Sequence, residues 1–172
     1  MKKYGPWPIG IRHNTLNGAS RYHITFALAD RHYPLTELER EIVIEVIYRG
    51  SPNYYELDAA VVMPDHVHVL MFEYPDVSRS RVVGGIKRRS AAIISRLTGR
   101  AGGLWQKNWH ERRIHSERVR RGVVEYIKRN PRKGQLGTWE FDGTLWIHPR
   151  YRSPTTPTAY GHIERLCHTI AF

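Results

Sequence analysis

Met63-Pro64-Asp65-His66-Val67-His68-Val69-Leu70 is the stretch on which the reading of this chain turns. Side chains alternate faces along a β-strand, so His66 and His68 project to one side and Val67 and Val69 to the other. Two imidazoles held side by side by a sheet are half of a metal site, and one or two further oxygen ligands complete it. The same pattern also fits one satisfied core histidine beside a chance one, in a chain with 10 histidines. The decision rests on what the rest of the chain brings to that face.

Downstream, Ser116 to Pro131 reads as a helix. Ser116 is the N-cap, Glu117 lies in the first turn, and Val119, Val123 and Ile127 recur at four-residue spacing. Pro131 disfavours helical geometry at Asn130 and predicts an end there. Tyr126 and Asn130 lie about 40° apart around the helix, so a phenol and an amide share one face. If that face covers the histidines, Asn130 is a third ligand and Tyr126 lies beside the ion as a nucleophile. Taken singly, Tyr126 also suits packing on the sheet, and Asn130 a helix cap.

The remaining elements alternate. Arg21 to Ala29 is β-branched and aromatic, hence a first strand. Thr36 begins a helix reaching about Arg49, with Glu39 completing a capping box. Leu57 to Met63 and His66 to Phe72 are strands around Pro64-Asp65, a second helix spans about Ser78 to Leu97, and Trp105 to Ile114 contains a further strand. The order β-α-β-β-α-β-α predicts an α+β fold, an antiparallel sheet with packed helices in the ferredoxin-like, split βαβ arrangement. Many unrelated proteins share that arrangement, so it does not decide function.

Charge narrows the function. The formal net charge is +11 over 172 residues, yet residues 79–133 hold 17 Lys or Arg against Glu111, Glu117 and Glu125. The rest of the chain is slightly acidic. Such polarity focuses a positive field that attracts a phosphate backbone, although a solvated helix face is the usual fate of a charge run. Lys87, Arg88 and Arg89 on one helix, and Arg121, Lys128 and Arg129 on the other, are the candidate nucleic-acid contacts. Trp105, Trp109, Tyr4 and Trp7 are candidates for stacking on exposed bases. A lone cysteine, Cys167, excludes an internal disulfide framework and a Cys-rich zinc module. No apolar run is long enough for a membrane span or a signal-peptide core, so the expectation is a cytoplasmic protein without a membrane partner.

Between Tyr22 and Leu136, five motifs occur in order: Tyr22-His23-Ile24-Thr25, the His66/His68 stretch, Gly85-Ile86-Lys87, Leu104-Trp105-Gln106-Lys107-Asn108-Trp109-His110-Glu111, and Tyr126-Ile127-Lys128-Arg129-Asn130-Pro131. Together they resemble the REP-associated tyrosine transposases, a branch of the single-tyrosine HUH endonucleases that includes transposases of single-stranded insertion sequences. The resemblance implies metal ligation by His66, His68 and Asn130, with Mg²⁺ or Mn²⁺ as the ion and Tyr126 as nucleophile. It further implies nicking and rejoining of hairpin-forming repeat DNA through a 5′-phosphotyrosine intermediate. The partner would be single-stranded or hairpin DNA, and the enzyme a monomer or homodimer. Two positions depart from the family pattern. Asp65 stands where Asn is more usual, and Glu111 lengthens a carboxylate otherwise expected as Asp, which qualifies a positioning role for it.

By this reading residues 1–20 are an N-terminal extension, 21–136 the transposase domain, and 137–172 a C-terminal extension without an assigned role. Trp139, Phe141, Trp146 and Ile147 are too apolar for a solvated tail, 153–158 reads as an extended linker, and 161–172 as a short helix or strand. Two other function classes stay open: a binding protein of the same fold that holds DNA or RNA hairpins without cutting, and a structural or metal-storage protein.

Overall fold

The computed structural model describes residues 20–133 and 144–151. Tyr4, Trp7, Trp139, Phe141, Cys167 and the segments 153–158 and 161–172 lie outside them. The elements are β1 (Arg21–Ala27), α1 (Glu37–Gly50), β2 (Tyr55–Val62), β3 (His66–Glu73), α2 (Arg79–Thr98), β4 (His110–Ile114), α3 (Glu117–Lys133) and β5 (Leu145–Ile147), with a 3-10 turn at Pro149–Tyr151. The strands form one antiparallel sheet in the order β4-β1-β3-β2-β5. Its first four members, 4-1-3-2, with α1 and α2 as crossovers, are the expected ferredoxin-like α+β arrangement.

Local chemistry sets the element ends. Thr36 and Glu39 form the reciprocal capping box at the start of α1. Ser78 caps α2, and Gly99 ends it in the left-handed region at φ 71°, which a side chain would strain. Met63 and His66 close the β2–β3 hairpin with a 2.8 Å backbone bond, and Leu28 and Leu35 donate to the carbonyls of Asp65 and Pro64. The turn carrying Asp65 is thereby fastened to the loop before α1.

The two sheet faces differ in kind. Ile24, Phe26, Val67, Val69 and Met71 face α1 and α2 in the larger core, while Ala59, Val61, Leu70 and Ile114 meet Val124 and Ile127 of α3 in a smaller one. Strand β2 is covered on both faces and flanked by β3 and β5, so all eight of its residues are buried. Its two carboxylates are compensated. Asp58, fully buried, accepts from Arg21 Nε at 2.7 Å, and Glu56 pairs with Arg150.

Three boundaries move. The first strand ends at Ala27, because Leu28 bridges to Trp105 and Ala29 donates to Leu104 instead. Helix α3 continues through Pro131 to Lys133. The proline forfeits one hydrogen bond, to the Ile127 carbonyl, without ending the helix there. The tail residues Leu145–Ile147 join the sheet as its fifth strand, burying Trp146 and Ile147. Among the described residues no helix is long and apolar enough to cross a membrane.

Helix α3 is held to the sheet by few apolar side chains, with Ile127 fully buried among them. Ile127→Ala is expected to cost about 2–5 kcal/mol by cavity formation, and exposed Arg129→Ala within about 0.5 kcal/mol, as read by urea unfolding.

Candidate active site

Strand pairing sets the site. Thr25 lies opposite His68, and His23 is one step along the same face of β1. His68 Nδ1 is 2.9 Å from Thr25 Oγ1 and 3.2 Å from His23 Nε2. The rings of His66 and His68 stand 4.9 Å apart, nearly perpendicular. His66 Nδ1 is 2.6 Å from Asp65 Oδ1, a carboxylate that accepts its N–H and leaves Nε2 with the lone pair. In the matching tautomer of His68, Nδ1–H donates to Thr25 and Nε2 carries the lone pair. That Nε2 is buried and has no hydrogen-bond partner among the described residues.

Burial, followed by the neighbouring His23 and His66, pushes the pKa of His68 down to about 3. His23 is also lowered, by burial and then by the charge of Arg112. Both are neutral at pH 7, the form in which imidazole ligates a metal.

Helix α3 lays Tyr126 over this group. Its ring centroid lies 5.3 Å from that of His68 and 6.1 Å from that of His23, and the residue is 40 % exposed. Its neighbours Val124 and Ile127 point into the core beneath the helix, so Tyr126 is held at the rim. An open cleft of about 750 Å³ runs from Tyr126, His66 and His68 past Thr25, Asp65 and Arg31 to Gln106, Asn108, Trp109 and His110.

Other candidate residues fall elsewhere. Asn130 is buried one turn along α3, its Nδ2 donating to the Tyr126 carbonyl at 3.1 Å, and it does not line the cleft. Glu111 pairs with Ile24 in the sheet and so faces away from the histidines. There it accepts from Arg79 Nε at 3.1 Å and Trp109 Nε1 at 3.0 Å. Strand alternation instead sends His110 to the cleft. Lys87 Nζ donates to the carbonyls of Gln106, Lys107 and Asn108 rather than standing in solvent. Arg88 and Arg89 rim a separate hollow with Arg81 and Tyr54, against α1. Arg121 pairs with Glu117, Lys128 with Glu125 and the Tyr151 carbonyl, and Arg129 is exposed. Among the described residues, no three His, Cys, Asp or Glu side chains converge to hold an ion.

His23, Thr25 and His110 were missed as site residues. His23-x-Thr25 has the same two-residue spacing as His66-x-His68, but only the β1–β3 register brings the pairs together.

The family model for IS200-like transposases matches residues 18–130. The chain belongs to the IS200-like transposase family. It is therefore an enzyme of the transposase type. Among solved structures it is similar to a REP-associated tyrosine transposase bound to a REP hairpin, with 19 % identity and a TM-score of 0.58 over 92 % of this chain and 98 % of that one. At that identity the likeness supports the fold. A putative transposase from Deinococcus radiodurans is 24 % identical, with a TM-score of 0.47 over 68 % of this chain and 95 % of that one. No curated protein sequence matches the chain.

The depressed histidines make stability pH-dependent. Because the unfolded chain binds their protons more readily, the stabilisation is complete above about pH 6.5 and is lost as pH falls towards 3. Between pH 6.5 and 5, His68 alone accounts for a loss on the order of 2 kcal/mol. Urea midpoints measured across this range should fall with pH, and less steeply in His68→Gln.

Proposed function

We propose that this transposase nicks and rejoins single-stranded DNA beside hairpin-forming repeats, with Tyr126 as the nucleophile. The observation carrying this reading is the Tyr126 phenol, accessible and packed over the His66–His68 pair at the open cleft. Among the described residues, no other tyrosine lines that cleft.

The donor set fits a divalent ion. Among the described residues His68 Nε2 is a buried nitrogen without a partner, and the Asp65 carboxylate orients His66 so that its Nε2 is available. Metal-binding histidines are characteristically fixed by such a bond on their other nitrogen, and Thr25 plays that part for His68. His66 and His68 would hold Mg²⁺ or Mn²⁺, and the Asn130 amide oxygen, one turn along α3 and outside the cleft, would join as the proposed third donor only by turning towards them. When bound, the ion stabilises negative charge building on the scissile phosphate. Imidazole ligation favours Mn²⁺ over Mg²⁺, whereas cellular abundance favours Mg²⁺.

In the reaction, Tyr126 Oη forms a bond to phosphorus as the bond from phosphorus to the 3′ oxygen breaks. The phenolic proton is lost and the leaving oxygen ends as a 3′-hydroxyl. The product is a 5′-phosphotyrosine. A 3′-hydroxyl of the same or another strand reverses the step, so strands are joined without ATP. A phenol is a weak nucleophile, so the alignment of Tyr126 on the phosphate matters. The core residues Val124 and Ile127 supply that alignment by fixing α3 on the sheet. Exposed Arg129 and the cleft's Arg31 are suited to meeting backbone phosphates.

The test uses labelled hairpin oligonucleotides with single-stranded flanks, taken from repeats beside the gene. With Mg²⁺ or Mn²⁺ the wild type should form a covalent protein–DNA adduct, and with EDTA none. Tyr126→Phe should form no adduct yet bind within about twofold of wild type, since one phenol hydroxyl contributes little net hydrogen bonding. Equal, tight binding with no adduct in either protein would favour the non-catalytic hairpin-binding class instead.

A further inference from the structure

Lys87 is a residue that charge alone assigns to DNA, and the fold gives its charge another use. It projects from α2, half-buried, between the rings of Phe26 and Trp109 at 5.4 and 5.3 Å. Its Nζ reaches the backbone carbonyls of Gln106 at 3.0 Å, Lys107 at 3.4 Å and Asn108 at 3.0 Å. An ammonium has three N–H donors, and three successive carbonyls take them. Desolvation lowers its pKa, as befits an ammonium withdrawn from water.

Those carbonyls fix the direction of the amides that follow them. A trans peptide unit is planar and carries C=O and N–H on opposite sides. The one cis bond among the described residues is Ser51–Pro52. The N–H groups of Lys107, Asn108 and Trp109 are therefore turned away from the ammonium. None of them donates to a protein acceptor among the described residues. The same segment supplies Gln106, Asn108 and Trp109 to the wall of the Tyr126 cleft. It is secured from behind as well, by Gln106 N to the Ala27 carbonyl at 3.0 Å and by Trp105 Nε1 to Ser90 Oγ at 3.0 Å. Successive unpaired amides on a held loop form an anion-binding concavity.

We propose that Lys87 is a positioning residue. It does not touch DNA, but holds residues 106–109 so that their outward-turned amides take a backbone phosphate of the strand lying in the Tyr126 cleft. This inference rests on the single-stranded DNA reading above and adds to it a phosphate site made of main chain. It also separates Lys87 from Arg129, whose exposed charge can meet phosphate directly.

Binding separates the two kinds of role. Affinities of the full-length protein for a fluorescent single-stranded oligonucleotide are measured against salt for wild type, Lys87→Met and Lys87→Arg. Positioning predicts that both variants bind about tenfold more weakly, the equivalent of one charge-assisted hydrogen bond, because a flat guanidinium cannot cap three carbonyls. The salt dependence should be unchanged. A direct phosphate contact predicts rescue by Lys87→Arg and, in Lys87→Met, a log–log slope shallower by about 0.7. That result, or wild-type affinity in both variants, would overturn the proposal. Hydrogen–deuterium exchange of the wild type needs no variant: amides 107–109 should be protected on adding the oligonucleotide, and exchange unaltered there would also overturn it. A wild type that binds no hairpin or single strand would remove the DNA reading itself, whereas normal binding with indifferent Lys87 variants would remove this inference alone.

Discussion

Everything at the candidate site depends on the pairing of β1 with β3. The register that sets Thr25 opposite His68 also sets Ile24 opposite Val69 and Phe26 opposite Val67. A slip of β1 by one residue would turn His23 and Thr25 into the main core and send Ile24 and Phe26 to the cleft. The burial of Ile24, Phe26, Val67 and Val69 beneath α1 and α2 is thus what holds the imidazoles together on the other face. Stability and chemistry are specified by the same hydrogen-bond ladder.

Electrostatics then divides the labour. A chain with net charge +11 keeps His68 and His23 neutral, chiefly through burial. The basic side chains around them are used in more than one way. Arg79 stacks on Tyr22 and joins Glu73 to Glu111, Arg21 neutralises buried Asp58, and Lys87 braces a loop. Arg88, Arg89 and Arg129 remain exposed. Counting Lys and Arg therefore does not by itself separate the side chains tied into the fold from those left exposed.

The elements themselves were largely legible, because each carried a local cause: the Thr36–Glu39 box, β-branched alternation in β1 and β3, and the apolar spacing of α3. The fifth strand was not, since Leu145–Ile147 is too short to show a period and is ordered by pairing with β2. Helix α3 outran Pro131, so the local bias of that proline against helix at Asn130 did not decide the boundary. At the site, the same-face histidines and Tyr126 followed from the two periodicities. The contribution of His23 and Thr25 required a register, a long-range quantity absent from local sequence. Glu111 is by sequence a possible positioning carboxylate, yet the two-residue period of β4 carries it to the far face and brings His110 forward.

The central claim is that the residue poised over the histidine pair makes the covalent bond to DNA. The most direct measurement is proteolytic digestion of the protein–oligonucleotide adduct followed by mass spectrometry to locate the modified residue. The account predicts a nucleotide attached through phosphate to Tyr126. Attachment to another residue, or no attachment with a cognate hairpin and Mn²⁺ present, would contradict it.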